Sequence, residues 1–134
     1  MRVRQHPYLL EWVPCRFLIL VVGNMYRTVR ELNKSGAAFE RAADIQQRYL
    51  KDNFEAAKML QDAFKSYRDV SPADSVRCLD QSIQLYSAKG NFRRAADLMV
   101  DMADIYETKL QDPAKGLKSL ETAIMWYSDE GIQA

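Results

Sequence analysis

Asn53-Phe54-Glu55-Ala56-Ala57 opens a stretch that closes at Lys89-Gly90, and Asn91-Phe92-Arg93-Arg94-Ala95-Ala96 opens another that closes at Glu130-Gly131. The two stretches are one pattern written twice, 38 residues (53 to 90) and 41 residues (91 to 131) long. Each holds two amphipathic segments separated by a Pro in a turn, Ser71-Pro72 in the first and Asp112-Pro113 in the second. A two-helix repeat of this length cannot bury its apolar side alone and does so by stacking on its neighbours, which is an α-solenoid. The fold expected is therefore all-α, a tetratricopeptide-like solenoid of antiparallel helical hairpins. Such a chain presents a surface and does not enclose a reaction.

The periods carry this reading. In the first hairpin Ala56, Ala57, Leu60, Ala63, Phe64 and Tyr67 fall on one stripe of a helix, since residues three and four apart share a helix face. Ser71 stands where a cap belongs, and Pro72 occupies the first helical position, where no N–H is needed. Val76, Leu79, Ile83 and Tyr86 follow in steps of three, four and three, and Gly90 can adopt the left-handed conformation that ends a helix. The second hairpin repeats the scheme with Phe92, Ala95, Ala96, Met99, Ala103, Tyr106 and Leu110, then Asp112-Pro113, then Leu117, Leu120, Ile124 and Tyr127. Ala42-Ala43, Ala56-Ala57 and Ala95-Ala96 mark where helix axes approach closely. With nothing repeated beyond them, Trp126, Tyr127 and Ile132 are expected to leave an exposed aromatic edge.

The register extends backwards. Tyr26, Tyr67 and Tyr106 are 41 and 39 apart, and Phe39, Leu79 and Leu120 are 40 and 41 apart. The array thus begins in mid-repeat near Asn24. Tyr26, Val29 and Leu32 are expected on one helix face, Asn33-Lys34-Ser35 as a break, and Ser35 as the cap of a helix over Gly36–Leu50. That helix should turn Phe39, Ala42, Ala43 and Tyr49 or Leu50 inward, with Lys51-Asp52 as the turn after it. Residues 1–22 show no helical period and carry Pro7 and Pro14, so they read as an irregular N-terminal arm before a repeat domain over 23–134. An extended arm and a short helix from about Arg16 both fit.

Composition narrows the function. Charged residues are 28% and hydrophobic ones 48% of the chain, and formal net charge is +1, which suits a helical domain and argues against nucleic acid as the ligand. The longest apolar run, Phe17 to Val22, is far short of the roughly 20 residues a membrane span needs. Pro7, Glu11 and Pro14 interrupt the approach to it, against a cleaved leader. Cys15 and Cys78 match no metal spacing and read as reduced thiols. His6 is the only histidine, and no glycine-rich phosphate loop exists, so catalytic triads and histidine metal sites are excluded. Asp97, Asp101 and Asp104 share a helix face, but a solvated acidic face is the ordinary meaning of that spacing. Met99 and Met102 read as core or groove lining. No enzyme, cofactor or metal is expected. The basic residues Arg27, Arg30, Lys65, Arg68, Lys89, Arg93 and Arg94 lie on first helices of the hairpins or at the adjoining turns. They could form a ladder facing an acidic partner, or be ordinary surface charge.

Several pieces resemble the soluble NSF attachment protein (alpha-SNAP) family. They are Gly23-Asn24-Met25-Tyr26-Arg27, Ser35 through Ala43, Asp62-Ala63-Phe64, Arg77-Cys78-Leu79, Gly90-Asn91-Phe92 with Ala95-Ala96, and Ala103-Asp104-Ile105-Tyr106-Glu107-Thr108. The resemblance covers about Gly23 to Ala134. It implies a cytoplasmic adaptor, peripherally associated with membranes, that binds the SNARE four-helix bundle so that the NSF ATPase can pull it apart. It implies a basic SNARE-binding face, to which Arg30 and Arg68 correspond by position, with Lys89, Arg93 and Arg94 by the next turn. It also marks departures. Asp97 stands where the family carries lysine, and the half of the family that engages NSF has no counterpart in these residues. The chain thus reads as part of a longer array, expected to bind SNARE bundles without recruiting NSF. The alternative is a generic helical-repeat module that takes a peptide or helix of another partner in an apolar groove lined by Met99, Met102 and tyrosines.

Overall fold

A computed structural model of the chain describes residues 7–133. Its elements are six helices: α1 (Pro7–Thr28), α2 (Leu32–Arg48), α3 (Asn53–Tyr67), α4 (Pro72–Ala88), α5 (Phe92–Thr108) and α6 (Pro113–Gln133). Each packs chiefly on the helix before it and the helix after it. Contacts that skip one helix arrange them in two layers. Arg27 of α1 reaches Ser66 of α3, Arg94 of α5 reaches Phe54 of α3, and Arg77 of α4 reaches Glu40 of α2. Among the described residues no strand is present.

The expected stripes meet in one core. Ala56, Ala57, Leu60, Ala63, Phe64 and Tyr67 of α3 and Leu79, Ile83 and Tyr86 of α4 are buried together with Phe39, Ala42 and Ala43 of α2 and Ala95, Leu98, Met102 and Ile105 of α5. The alanine pairs of α2, α3 and α5 are almost wholly covered, as close helix approach requires. Gly36 shows how close. A Cβ placed there would sit 2.6 Å from the Tyr67 ring. Asp52 caps α3 by accepting from the Glu55 N–H at 3.1 Å, and Asp112 accepts from the Lys115 N–H at 3.3 Å. Pro72 and Pro113 each open a helix, and Gly90 closes the α4–α5 turn with φ +79°.

The structure departs from the sequence expectations in five places. The irregular arm is instead the helix α1 from Pro7 onward; residues 1–6 lie outside the described residues. Pro7 sits at its first position, where the missing donor is harmless, and Pro14 is carried inside it. Second, Tyr26, Val29 and Leu32 do not share a helix. The chain turns at Val29–Glu31, with Arg30 left-handed at φ 67°. Third, Ser35 caps nothing. It is buried inside α2, donates to the Gly23 carbonyl at 2.8 Å and meets the Ser66 hydroxyl at 3.0 Å. Ser71 stands at the N-cap of α4, yet its hydroxyl donates to the Asp74 carboxylate and accepts from no backbone N–H of the helix. Fourth, Gly131 ends no helix, because α6 continues to Gln133. Fifth, the open edge of α6 is aliphatic. Leu117, Leu120, Ile124 and Met125 are exposed, whereas Trp126 is half-buried against the Phe92 ring, 5.5 Å between centroids.

A candidate protein-binding face

The five basic residues that the resemblance assigns to a binding face, Arg30, Arg68, Lys89, Arg93 and Arg94, are exposed, and none is in an ion pair among the described residues. They fall into two groups. Arg30 lies in the α1–α2 turn and Arg68 is the C-cap of α3, where its guanidinium rests 5.7 Å over the Phe64 ring. Those turns are at the same end of the hairpins. Lys89 is the C-cap of α4, and Arg93 and Arg94 begin α5, all at the opposite end. With 17 residues in α4, the two ends are about 25 Å apart along the helix axes. Arg94 is held there by ring faces, 5.3 Å from the centroid of Phe54 and 5.9 Å from that of Tyr86. Cations over aromatic faces keep their charge while gaining contact.

By register the position equivalent to Arg68 is Arg27 in α1, and in α5 it is Glu107. Arg27 is half-buried. Its guanidinium lies 5.0 Å over the Phe39 ring and donates to the Asp62 carbonyl and the Ser66 hydroxyl, each at 3.4 Å. It therefore joins three helices as well as contributing charge.

Between the two basic groups lies an acidic row. Asp97, Asp101 and Asp104 are exposed on α5. Partial burial raises the Asp101 carboxyl pKa, the neighbouring Asp97 and Asp104 charges push it the same way, and Arg68 and Lys65 partly offset them. Asp97 accepts a hydrogen bond from the Tyr127 hydroxyl, which raises the tyrosine's pKa. The face thus alternates in sign along its length.

On the other layer Glu40 links three helices. It accepts from the Tyr67 hydroxyl at 2.8 Å and from both terminal nitrogens of Arg77, one at 3.2 Å. Burial pushes the Glu40 carboxyl up, but those donors outweigh it and hold it below the ordinary range. Beside it, burial and the Glu40 charge push the Cys78 thiol up to about 12, so it stays protonated and inert near neutrality. The polar tie at Glu40 was not evident from the sequence, because its partners come from two other helices.

Met102 is part of the core, while Met99 is half-buried and lines, with Tyr106 and Lys118, a shallow groove between α5 and α6. Among the described residues no helix is long and apolar enough to cross a membrane, and no cluster of three or more potential ligands could hold a metal ion.

A two-layered helical array with exposed basic residues at its turns and a buried, protonated Cys78 defines a helical-repeat binding scaffold. The family model described as "Soluble NSF attachment protein, SNAP" matches residues 19–134, and the chain belongs to that family. It is similar to the vesicular-fusion protein SEC17 of Komagataella phaffii, 39% identical over 111 residues, covering 83% of this chain and 37% of the relative. A probable vesicular-fusion protein sec17 homolog of Schizosaccharomyces pombe is 40% identical over 117 residues, 87% of this chain and 40% of its own. The human alpha-soluble NSF attachment protein is 30% identical over 107 residues, 80% of this chain and 36% of its own. The chain therefore spans about two fifths of the length of these relatives.

Proposed function

We propose that this chain is a SNAP-type adaptor that binds assembled SNARE four-helix bundles in vesicle membrane fusion and intracellular protein transport. The observation that carries the reading is the exposed, unpaired Arg68 with Arg30 at the same end of the array, in a chain whose family is that of the vesicular-fusion proteins. Cations that stand outside any ion pair have none to give up when an acidic helix bundle docks. Lys89, Arg93 and Arg94 form a second contact at the far end, separated from the first by the acidic α5 row. The matched residues correspond to about two fifths of the relatives, and recruitment of the NSF ATPase is not assigned to them. The role is binding, not catalysis, in the cytoplasm at membrane surfaces.

The test is capture of a purified, assembled SNARE bundle by this chain at low and high salt. Binding should weaken as salt rises, because charge pairs at a wet interface are screened within about 8 Å at physiological ionic strength. Replacing Arg30 and Arg68 together by Glu should abolish capture at low salt while circular dichroism stays unchanged. Undiminished capture by the double variant overturns the reading.

A further inference from the structure

Ser71 and Asp112 hold the same place in the two full hairpins, each directly before the proline that opens a second helix. They act differently there. Asp112 sets a carboxylate at the start of α6 and accepts from the Lys115 N–H at 3.3 Å. In α4 the residue equivalent to Lys115 is Asp74, and the Ser71 side chain accepts from no N–H of that helix. The Ser71 hydroxyl instead donates to the Asp74 carboxylate at 2.7 Å. One repeat thus carries an acid at this position, and the other carries a hydroxyl that a phosphate would turn into one.

The surroundings of Ser71 fit that change. Arg68, Asp69 and Val70 before it are exposed, and so is Ala73 after it. Ser35, Ser66, Ser75 and Ser82, by contrast, are buried out of a kinase's reach. Arg68 precedes Ser71 by three residues and Pro72 follows it directly, two settings that different serine kinases require. A phosphoserine brings about −1.5 to −2 charges and three acceptor oxygens. Cations stand on both sides to receive it. Arg68 is in no ion pair among the described residues, and Arg77 already donates to the neighbouring Asp74 at 3.1 Å. The Asp74 carboxylate opposes a second anion, but its side chain is 45% exposed and is free to turn into water.

We propose that Ser71 is a phosphorylation site and that its phosphate switches off the basic contact at Arg68. The Ser71 oxygen attacks the γ-phosphorus of ATP held by a protein kinase. The bond from that phosphorus to the β-bridging oxygen breaks, ADP leaves, and the hydroxyl proton passes to the kinase's base. The phosphate changes the charge of the turn by about two, as much as Arg68→Glu does. An anion at the start of α4 also favours the helix itself, as Asp112 does for α6. The modified chain is therefore firmer and binds less, two effects that damage to the fold would not combine. The loss of binding rests on the SNARE-binding reading above; the stabilisation does not.

The test starts from the unaltered 134-residue chain, ATP and two purified serine kinases, one that requires arginine three residues before the serine and one that requires proline directly after it. Peptide mass spectrometry should find phosphate on Ser71 of the folded chain with at least one of them. A chain carrying phosphoserine at position 71, installed during synthesis, is then compared with the unmodified chain and with Ser71→Ala. The phosphoserine chain should melt about 2 °C higher than the unmodified one. It should capture an assembled SNARE bundle several-fold less at low salt, while Ser71→Ala captures as well as wild type. No phosphate on Ser71 with either kinase, a melting temperature unchanged or lowered by the phosphate, or undiminished capture overturns the proposal. If the unmodified chain captures no bundle, the adaptor reading fails instead, and the labelling and melting results still decide whether Ser71 is the modified residue.

Discussion

The hairpins α3–α4 and α5–α6 share a register, and they differ where it matters for binding. Lys65 and Arg68 on α3 become Asp104 and Glu107 on α5, and Leu79 and Ile83, buried on α4, become Leu120 and Ile124, open on α6. The apolar steps that fix which side of a helix turns inward are the same in both. What sits on that side, and which sign of charge faces outward, is set afterwards by neighbours and by substitution at exposed positions. A helical repeat can therefore keep its geometry while reversing its electrostatics within one repeat length.

Stability measurements break or sharpen that comparison most strongly. Leu79→Ala should lower unfolding free energy by about 2–5 kcal/mol, the range for a buried leucine emptied into a cavity. Its register partner Leu120→Ala should cost less, about 1 kcal/mol, because that side chain is 40% exposed and leaves no enclosed cavity. Urea unfolding followed by circular dichroism reads both, and equal losses would mean that the two helices are equally enclosed. For binding, Arg68→Glu should weaken capture of a SNARE bundle at low salt several-fold, and Glu107→Lys should strengthen it by a similar factor. No response to Glu107→Lys would show that the ligand never reaches α5.

Two smaller effects depend on pH. Glu40 is held below its unfolded pKa, so its tie to Tyr67 and Arg77 stabilises the fold above that unfolded value and fades as pH falls through the folded one. Glu40→Gln should then destabilise by about 1 kcal/mol at neutral pH, with the difference from wild type vanishing below the ordinary carboxylate range. Thermal melts across that range check it. Asp101 has the opposite sign. Its folded pKa is raised, so the ionised form opposes folding at neutral pH and the protonated form does not. Asp101→Asn should raise the melting temperature slightly at neutral pH, by less than about 0.5 kcal/mol in free energy, and the gain should disappear as the medium is acidified through the unfolded pKa.

How much of this was legible in the sequence differed by kind of feature. The stripes of α3, α4 and α5 were readable because apolar residues at three and four steps have only one geometric meaning. The cap and Pro at Asp112-Pro113 were readable for a similar reason. The turn after α1 was not, because it is closed by Arg30 at φ 67°, and Lys51 and Gln111 likewise hold positive φ at 57° and 51°. Residues that adopt the left-handed region against their preference send no signal in the sequence; only Gly90 did. The helix α1 escaped because its outward face is as apolar as its inward one, so it lacks the contrast on which periodicity depends. The basic residues were recognisable by type, but their division between two ends of the array, and the linking role of Arg27, exist only in three dimensions.

Because the helices rest chiefly on their sequence neighbours, the molecule has no central pillar whose loss brings everything down together. Unzipping can begin at α1 or α6 and proceed inward, one seam at a time, as in a one-dimensional chain of coupled links. Amide protons should then exchange in a gradient, fastest in the outer helices and slowest where α3 and α4 meet. A single melting temperature would describe the middle of this protein and say little about its ends.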